Sequence, residues 1–158
     1  MPGLILKRVL SPQTITQYLQ NKIWNPAGME SPGVWTVDKN EDGLEKTWCC
    51  LAASAFDFAK LGRLYLNDGN RNGKQLISKK WISESISSIS DTTQSNIYHY
   101  QWWIYLKQKA YAAIGKGGQY IYLRPDKKII IVRLGKNQGG KIYKKNWINI
   151  LHQLAGKI

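Results

Sequence analysis

An α+β fold, with helices flanking an antiparallel sheet, is predicted by three observations. Helical periodicity dominates residues 1–97, runs of β-branched and aromatic residues begin at Tyr98, and a helical pattern returns at Trp147. Ala110 to Leu134 reads AYAAIGKGGQYIYLRPDKKIIIVRL, which is strand material divided at Arg124-Pro125-Asp126-Lys127. Proline presets the backbone angle there and aspartate can bond its own backbone, so the division is a hairpin turn. Finally, 158 residues that are 43% apolar, with seven tryptophans and nine tyrosines, exclude disorder and can bury one core. The organisation expected is a single unit over 1–158, mainly helical over 1–97, with strands and a closing helix over 98–158.

The elements follow in order. The opening MPGLILKRVL reads as the middle of a helix, with neither cap nor flexible lead, and predicts a truncated chain. Its charges follow its few apolar residues, which is not the pattern of a signal peptide. From Thr14, TITQYLQNKIW puts Ile15, Tyr18, Leu19 and Ile23 on one helical face, and Asn25-Pro26-Ala27-Gly28 stops it. Ser31 to Lys46 keeps no period and reads as a long surface loop, in which Trp35 either walls a pocket or pins the loop to the core. Ser54 and Asp57 resemble a capping box ahead of the stripe Phe58, Leu61, Leu64 and Tyr65, which ends at Asp68-Gly69.

Asn72-Gly73 marks a tight turn, Lys74 to Ile77 a short extended piece, and Ser78 a cap for a helix carrying Trp81, Ile82 and Ile86. Ser87 to Asn96 is polar loop. Tyr98 to Leu106 reads as one strand. Gly115, Gly117 and Gly118 precede the hairpin, where glycine lets backbone approach a packed element or a ligand. The hairpin's strands are Gln119 to Leu123 and Lys127 to Leu134, the second expected to be buried on both faces. Trp147, Ile148, Leu151 and Leu154 mark the last helix.

Charge and cysteines narrow the function classes. The 23 basic residues exceed the 10 acidic ones by 13, a surplus that favours polyanions. The basic residues are scattered, however, and the densest run, within Lys136 to Lys145, reads as a solvated turn. No nucleic-acid partner is expected. No apolar run approaches the roughly 18 residues of a membrane helix, so no membrane partner is expected either. Cys49 and Cys50 are adjacent, and neighbours bond only in a strained ring. His99 and His152 lie far off in sequence for a shared metal site. The pair reads as two small buried thiols, with no metal and no cofactor.

Four stretches in register carry a family resemblance: YLQNKIWNPAGME (18–30), CCLAASAFDFAKLGRLYLNDGNRNGKQLISKKWI (49–82), YQWWI (100–104) and AYAAIGKGGQYIYLRPDKKIIIVRLG (110–135). They resemble the β-lactamase-like serine hydrolases, the group that contains class C β-lactamases, penicillin-binding esterases and 6-aminohexanoate-dimer hydrolases. The resemblance implies the C-terminal portion of that fold, a partial domain. Chemistry in the family needs a serine activated by a lysine one helical turn away, in Ser-x-x-Lys, together with a Tyr-x-Asn tyrosine and backbone oxyanion donors.

No serine of this chain has a lysine three positions on. Thr36-Val37-Asp38-Lys39 has the spacing but falls in a loop, and Tyr65-Leu66-Asn67 falls at a helix end. No catalytic residue is therefore assigned. The family's Lys-Thr-Gly strand edge corresponds to Ala110-Tyr111-Ala112. The missing lysine implies an ester- or amide-hydrolase branch rather than β-lactam recognition. By the same resemblance the backbone N–H of Ala113 is an oxyanion donor, and Tyr111, Gly115 and Gln119, beside Ala112, line the cleft remnant. The alternative is that these small residues only let a strand pack closely on a helix. His99 and His152, the latter expected at the surface, form no triad.

Two functions follow as expectations. One is the C-terminal part of a serine hydrolase, inactive alone. The other is a binding module whose exposed sheet edge pairs with a complementary N-terminal fragment or with a second copy. Substrate and compartment are left open.

Overall fold

A computed structural model describes residues 2–87, 96–136 and 147–158. The expected polar loop over 87–96 and the basic run over 136–145 fall largely outside them. The chain forms two compact units, Met1–Asp57 and Phe58–Ile158.

The first unit opens with helix α1 (Pro2–Leu10). Helix α2 (Ile15–Leu19) starts at Thr14, whose hydroxyl accepts the Gln17 N–H at 3.0 Å while the Gln17 side chain accepts the Thr14 N–H at 2.9 Å. That reciprocal cap satisfies two of the donors a helix start leaves open. Gln20–Trp24 widens into a π-helical turn, and Gly28 ends the segment with φ +66°. Ile15 is buried as its spacing predicts, whereas Tyr18 on the same predicted face is exposed.

The stretch read as surface loop is partly extended. Strand β1 (Val34–Trp35) pairs antiparallel with β2 (Leu51–Ala52), and Val37 bridges to Glu45. The expectation of two buried thiols is overturned: Cys49 and Cys50 are exposed and disulfide-bonded to each other. Cys50 has φ +73°, a left-handed backbone that sequence gives no reason to expect of a cysteine.

Helix α3 (Ala55–Leu66) starts where the Ser54 signal places it. Ser54 Oγ accepts the Asp57 N–H at 3.1 Å and donates to Asp57 Oδ2 at 2.7 Å. Asp57 is 1% exposed and also accepts the backbone N–H groups of Glu30 (2.8 Å) and Ser31 (3.2 Å). A buried carboxylate persists only when its oxygens are satisfied this way.

In the second unit, β3 (Asn70–Arg71) and β4 (Lys74–Gln75) form a hairpin across Asn72 and Gly73, both left-handed as such a two-residue turn requires. Ser78 Oγ caps helix α4 (Lys79–Ile86) by accepting the Trp81 N–H at 3.1 Å. The expected single strand over 98–106 is instead a hairpin of β5 (Asn96–His99) and β6 (Trp102–Tyr105). Tyr100 (φ +41°) and Gln101 (φ +72°) make its turn. Strands β7 (Ala110–Gly115), β8 (Gln119–Arg124) and β9 (Ile129–Arg133) complete an antiparallel meander ordered β5-β6-β7-β8-β9. The Pro125 turn is a single 3-10 turn closed by left-handed Lys128.

Burial on both faces belongs to β8 rather than to β9. Tyr122 and Leu123 are fully buried neighbours pointing to opposite sides. Among the described residues strand β9 lies at the sheet edge, and it is half-buried throughout. On one face Tyr105, Ala110, Ala112 and Tyr122 pack with Leu151 and Ala155 of helix α5 (Trp147–Lys157). Ala155 takes the inward position, and Leu154, expected there, is exposed. On the other face Ile97, Trp102, Ile104, Tyr111 and Leu123 pack with Tyr65 and Leu66 of α3. Gly62 permits this approach, since a Cβ there would lie 2.9 Å from a Leu123 methyl. Arg124 and Lys127 donate to the α5 carbonyls of Ala155 (3.3 Å) and Gly156 (3.0 Å), where cations suit a helix C-terminus.

Candidate functional site

The residues that resemblance assigns to a cleft lie on β7 and β8. Alternation along β7 puts Tyr111, Ala113 and Gly115 on one face, with Ala112 on the other. Gln119 pairs directly with Gly115 across the hairpin and so shares that face. Four of the five residues therefore line up on one side of the sheet, and Ala112 faces α5.

Their environments differ along that line. Tyr111 is 5% exposed, with its ring 5.3 Å from Trp102 and 6.5 Å from Tyr65. Burial, with the neighbouring Tyr65 and Asp68, pushes its phenol above the usual range, so it stays protonated in neutral solution. Ala113 is half-buried and Gly115 is exposed. The β6 ladder stops at Trp103 opposite Ala112, so among the described residues Ala113 to Gly115 continue with a partner only on β8. Gln119 is committed internally: its amide donates to the Gly135 carbonyl, and its carbonyl accepts the Gly135 N–H at 3.0 Å. Arg133 likewise donates to the Gly118 carbonyl, which fixes the glycine turn.

Among the described residues this stretch presents a glycine turn, and none of its five candidate positions carries a side-chain acid or nucleophile. Thr36 to Lys39 lie in the β1-to-bridge stretch and not on a helix, so Thr36 and Lys39 do not share a helical face. Tyr65, in the last turn of α3, packs its ring 4.5 Å from that of Trp102 at a tilt of 56°. His99 is paired with Trp102 at the β5–β6 turn. His152, expected at the surface, is half-buried against Tyr105 and Tyr122, and its Nδ1 lies 3.0 Å from the Tyr122 hydroxyl. Among the described residues no group of three or more His, Cys, Asp or Glu could hold a metal.

A further concavity lies elsewhere among the described residues, and the sequence does not mark it as a unit. A cleft of about 210 Å³ in the first unit is lined by Thr16, Leu19, Trp24, Pro32, Trp35 and Leu51, among others. Trp35 lines the cleft, and its indole N–H donates to the carbonyls of Lys46 (3.1 Å) and Cys49 (3.0 Å), which ties the loop to itself and not to the core. Behind it Glu45, 6% exposed, accepts the Thr16 N–H (2.8 Å) and hydroxyl (2.7 Å). Burial raises the Glu45 pKa, but those bonds and the Lys7 charge outweigh it and hold the carboxyl below its usual value. Only Trp35 gave a signal in the sequence, since Glu45 sits in a stretch without periodicity.

Comparison with known proteins bears on residues 2–155, which match the family model described as Beta-lactamase. The structure is similar to a solved structure from Bacillus anthracis, provisionally named a 6-aminohexanoate-dimer hydrolase. The two share 28% identity over 98% of this chain, with a TM-score of 0.80. The chain spans 42% of the length of that protein. No curated protein matches the sequence.

Proposed function

The chain belongs to the beta-lactamase family of serine hydrolases, and from that premise we propose that it is the C-terminal portion of an ester- or amide-hydrolase that is inactive alone. The observation that carries this reading is the match over nearly the whole chain to less than half of a hydrolase-like relative. Supporting it, the 158-residue sequence holds no Ser-x-x-Lys. Its one literal Tyr-x-Asn falls at the C-terminal end of α3, where Tyr65 is half-buried and packed on Trp102. In the intact parent an acyl-serine would form on a serine outside these residues. The Ala113 N–H on the β7 edge would contribute to the oxyanion site, and Tyr111, Ala112, Gly115 and Gln119 would shape the adjoining wall. Backbone donors without a nucleophile give only weak catalysis.

The test is to offer the purified chain a fluorophosphonate probe and activated p-nitrophenyl esters. The reading predicts no labelled serine and no turnover above buffer. A labelled serine with saturable turnover would overturn it.

A second reading rests on the sheet. Among the described residues β9 pairs only with β8, leaving one side of Ile129–Arg133 without a strand. Such an edge accepts another chain, so a complementary N-terminal polypeptide or a second copy is proposed as the partner. Sedimentation of the chain alone and in a mixture separates the two.

A further inference from the structure

We infer that the Cys49–Cys50 disulfide is a redox-modifiable site whose reduction by a dithiol releases the Trp35 wall of the first unit's cleft. This inference is independent of the hydrolase reading. Both cysteines are exposed, so a dissolved thiolate can reach either sulfur. The bonded pair also holds an unusual backbone, because Cys50 sits at φ +73° where a side chain crowds its own carbonyl. The covalent ring keeps Cys50 in that conformation.

The backbone of this dipeptide organises what surrounds it. The Cys49 N–H donates to the Lys46 carbonyl at 2.9 Å, the Cys49 carbonyl accepts the Trp35 indole at 3.0 Å, and the Cys50 carbonyl accepts the Thr36 N–H at 3.2 Å. The next residue, Leu51, starts β2 directly opposite Trp35. Trp35 and Leu51 are both walls of the 210 Å³ cleft. The disulfide thus lies one residue from the cleft wall, and the Cys49 carbonyl joins it directly to Trp35.

The chemistry is thiol–disulfide exchange. A thiolate of the dithiol attacks one sulfur, forms a mixed disulfide and releases the other cysteine as a thiolate, which takes up a proton. The reductant's second thiol then displaces the remaining cysteine and leaves as a disulfide. Two electrons and two protons end on Cys49 and Cys50. With the ring open, Cys50 is free to return to negative φ. That turns its carbonyl away from Thr36 and loosens the seat of the Trp35 indole.

The experiment uses the full chain purified without reductant. Iodoacetamide is added under native conditions before and after dithiothreitol, intact mass counts the adducts, and amide hydrogen exchange is followed in both states. The expected result is no adduct before reduction and two after. Exchange should rise several-fold in peptides covering 34–37 and 49–52, while peptides from β7 and β8 hold their protection. A Cys49→Ser/Cys50→Ser double variant should show the reduced pattern without reductant; if it does not fold, the wild-type comparison decides alone. Adducts before reduction, exchange unchanged after full reduction, or a rise throughout the chain would each overturn the inference.

Discussion

Asp57 shows how much one buried group can carry. Its carboxylate accepts from Ser54, Glu30 and Ser31, so Asp57→Ala strands two backbone donors and a hydroxyl in a closed site. Urea unfolding should show a loss of about 2–4 kcal/mol, and Ser54→Ala about 1 kcal/mol, as for a lost cap. An Asp57→Ala loss below that of Ser54→Ala would contradict the assignment. His152 supplies a pH test. Burial, with the Arg124 charge adding to it, lowers its pKa below the ordinary 6.5. A depressed folded-state pKa means that the unfolded chain binds the proton first. The stability contributed is therefore complete above pH 6.5 and is lost as pH falls through the lower folded value. Denaturation midpoints of His152→Asn should fall less than those of the wild type between neutral pH and the acid side of that window.

At the scale of elements, Gly62 decides how closely α3 can lie on the sheet. Gly62→Val drives branched carbon against Leu123 and Ile130 and should cost about 1–3 kcal/mol through overpacking, read as a lower thermal midpoint. Much of the element structure was legible because its signals are local. Thr14, Ser54 and Ser78 cap helices, and Asn72-Gly73 turns a hairpin, where their side chains or backbone freedom predict. The misses share a cause. Tyr100-Gln101 bears no glycine or asparagine, so its left-handed turn is set by pairing of β5 with β6 and not by local preference. Which strand is buried on both faces likewise depends on its rank in the sheet. That rank puts the polar-flanked β8 at the centre of burial and the apolar β9 at the edge. For the candidate site, alternation places Tyr111, Ala113 and Gly115 on one face from sequence alone. The internal engagement of Gln119 by Gly135 depends on a contact sixteen residues away. The expectation for the cysteine pair fails because the bond comes with a left-handed Cys50, which no neighbouring residue announces.

At the scale of the whole molecule, the proposed function makes this beta-lactamase-family chain the part of a hydrolase that would meet its nucleophile from elsewhere. Its central claim is that chemistry needs residues this sequence does not contain. The most direct measurement mixes the chain with a separately produced segment of the Bacillus anthracis relative lying outside the matched region and following p-nitrophenyl ester hydrolysis, with fluorophosphonate labelling to locate the serine. The account predicts that the chain alone is silent, and that activity in the mixture rises with chain concentration to saturation, with the label on the added segment. Activity and label on this chain alone would contradict it.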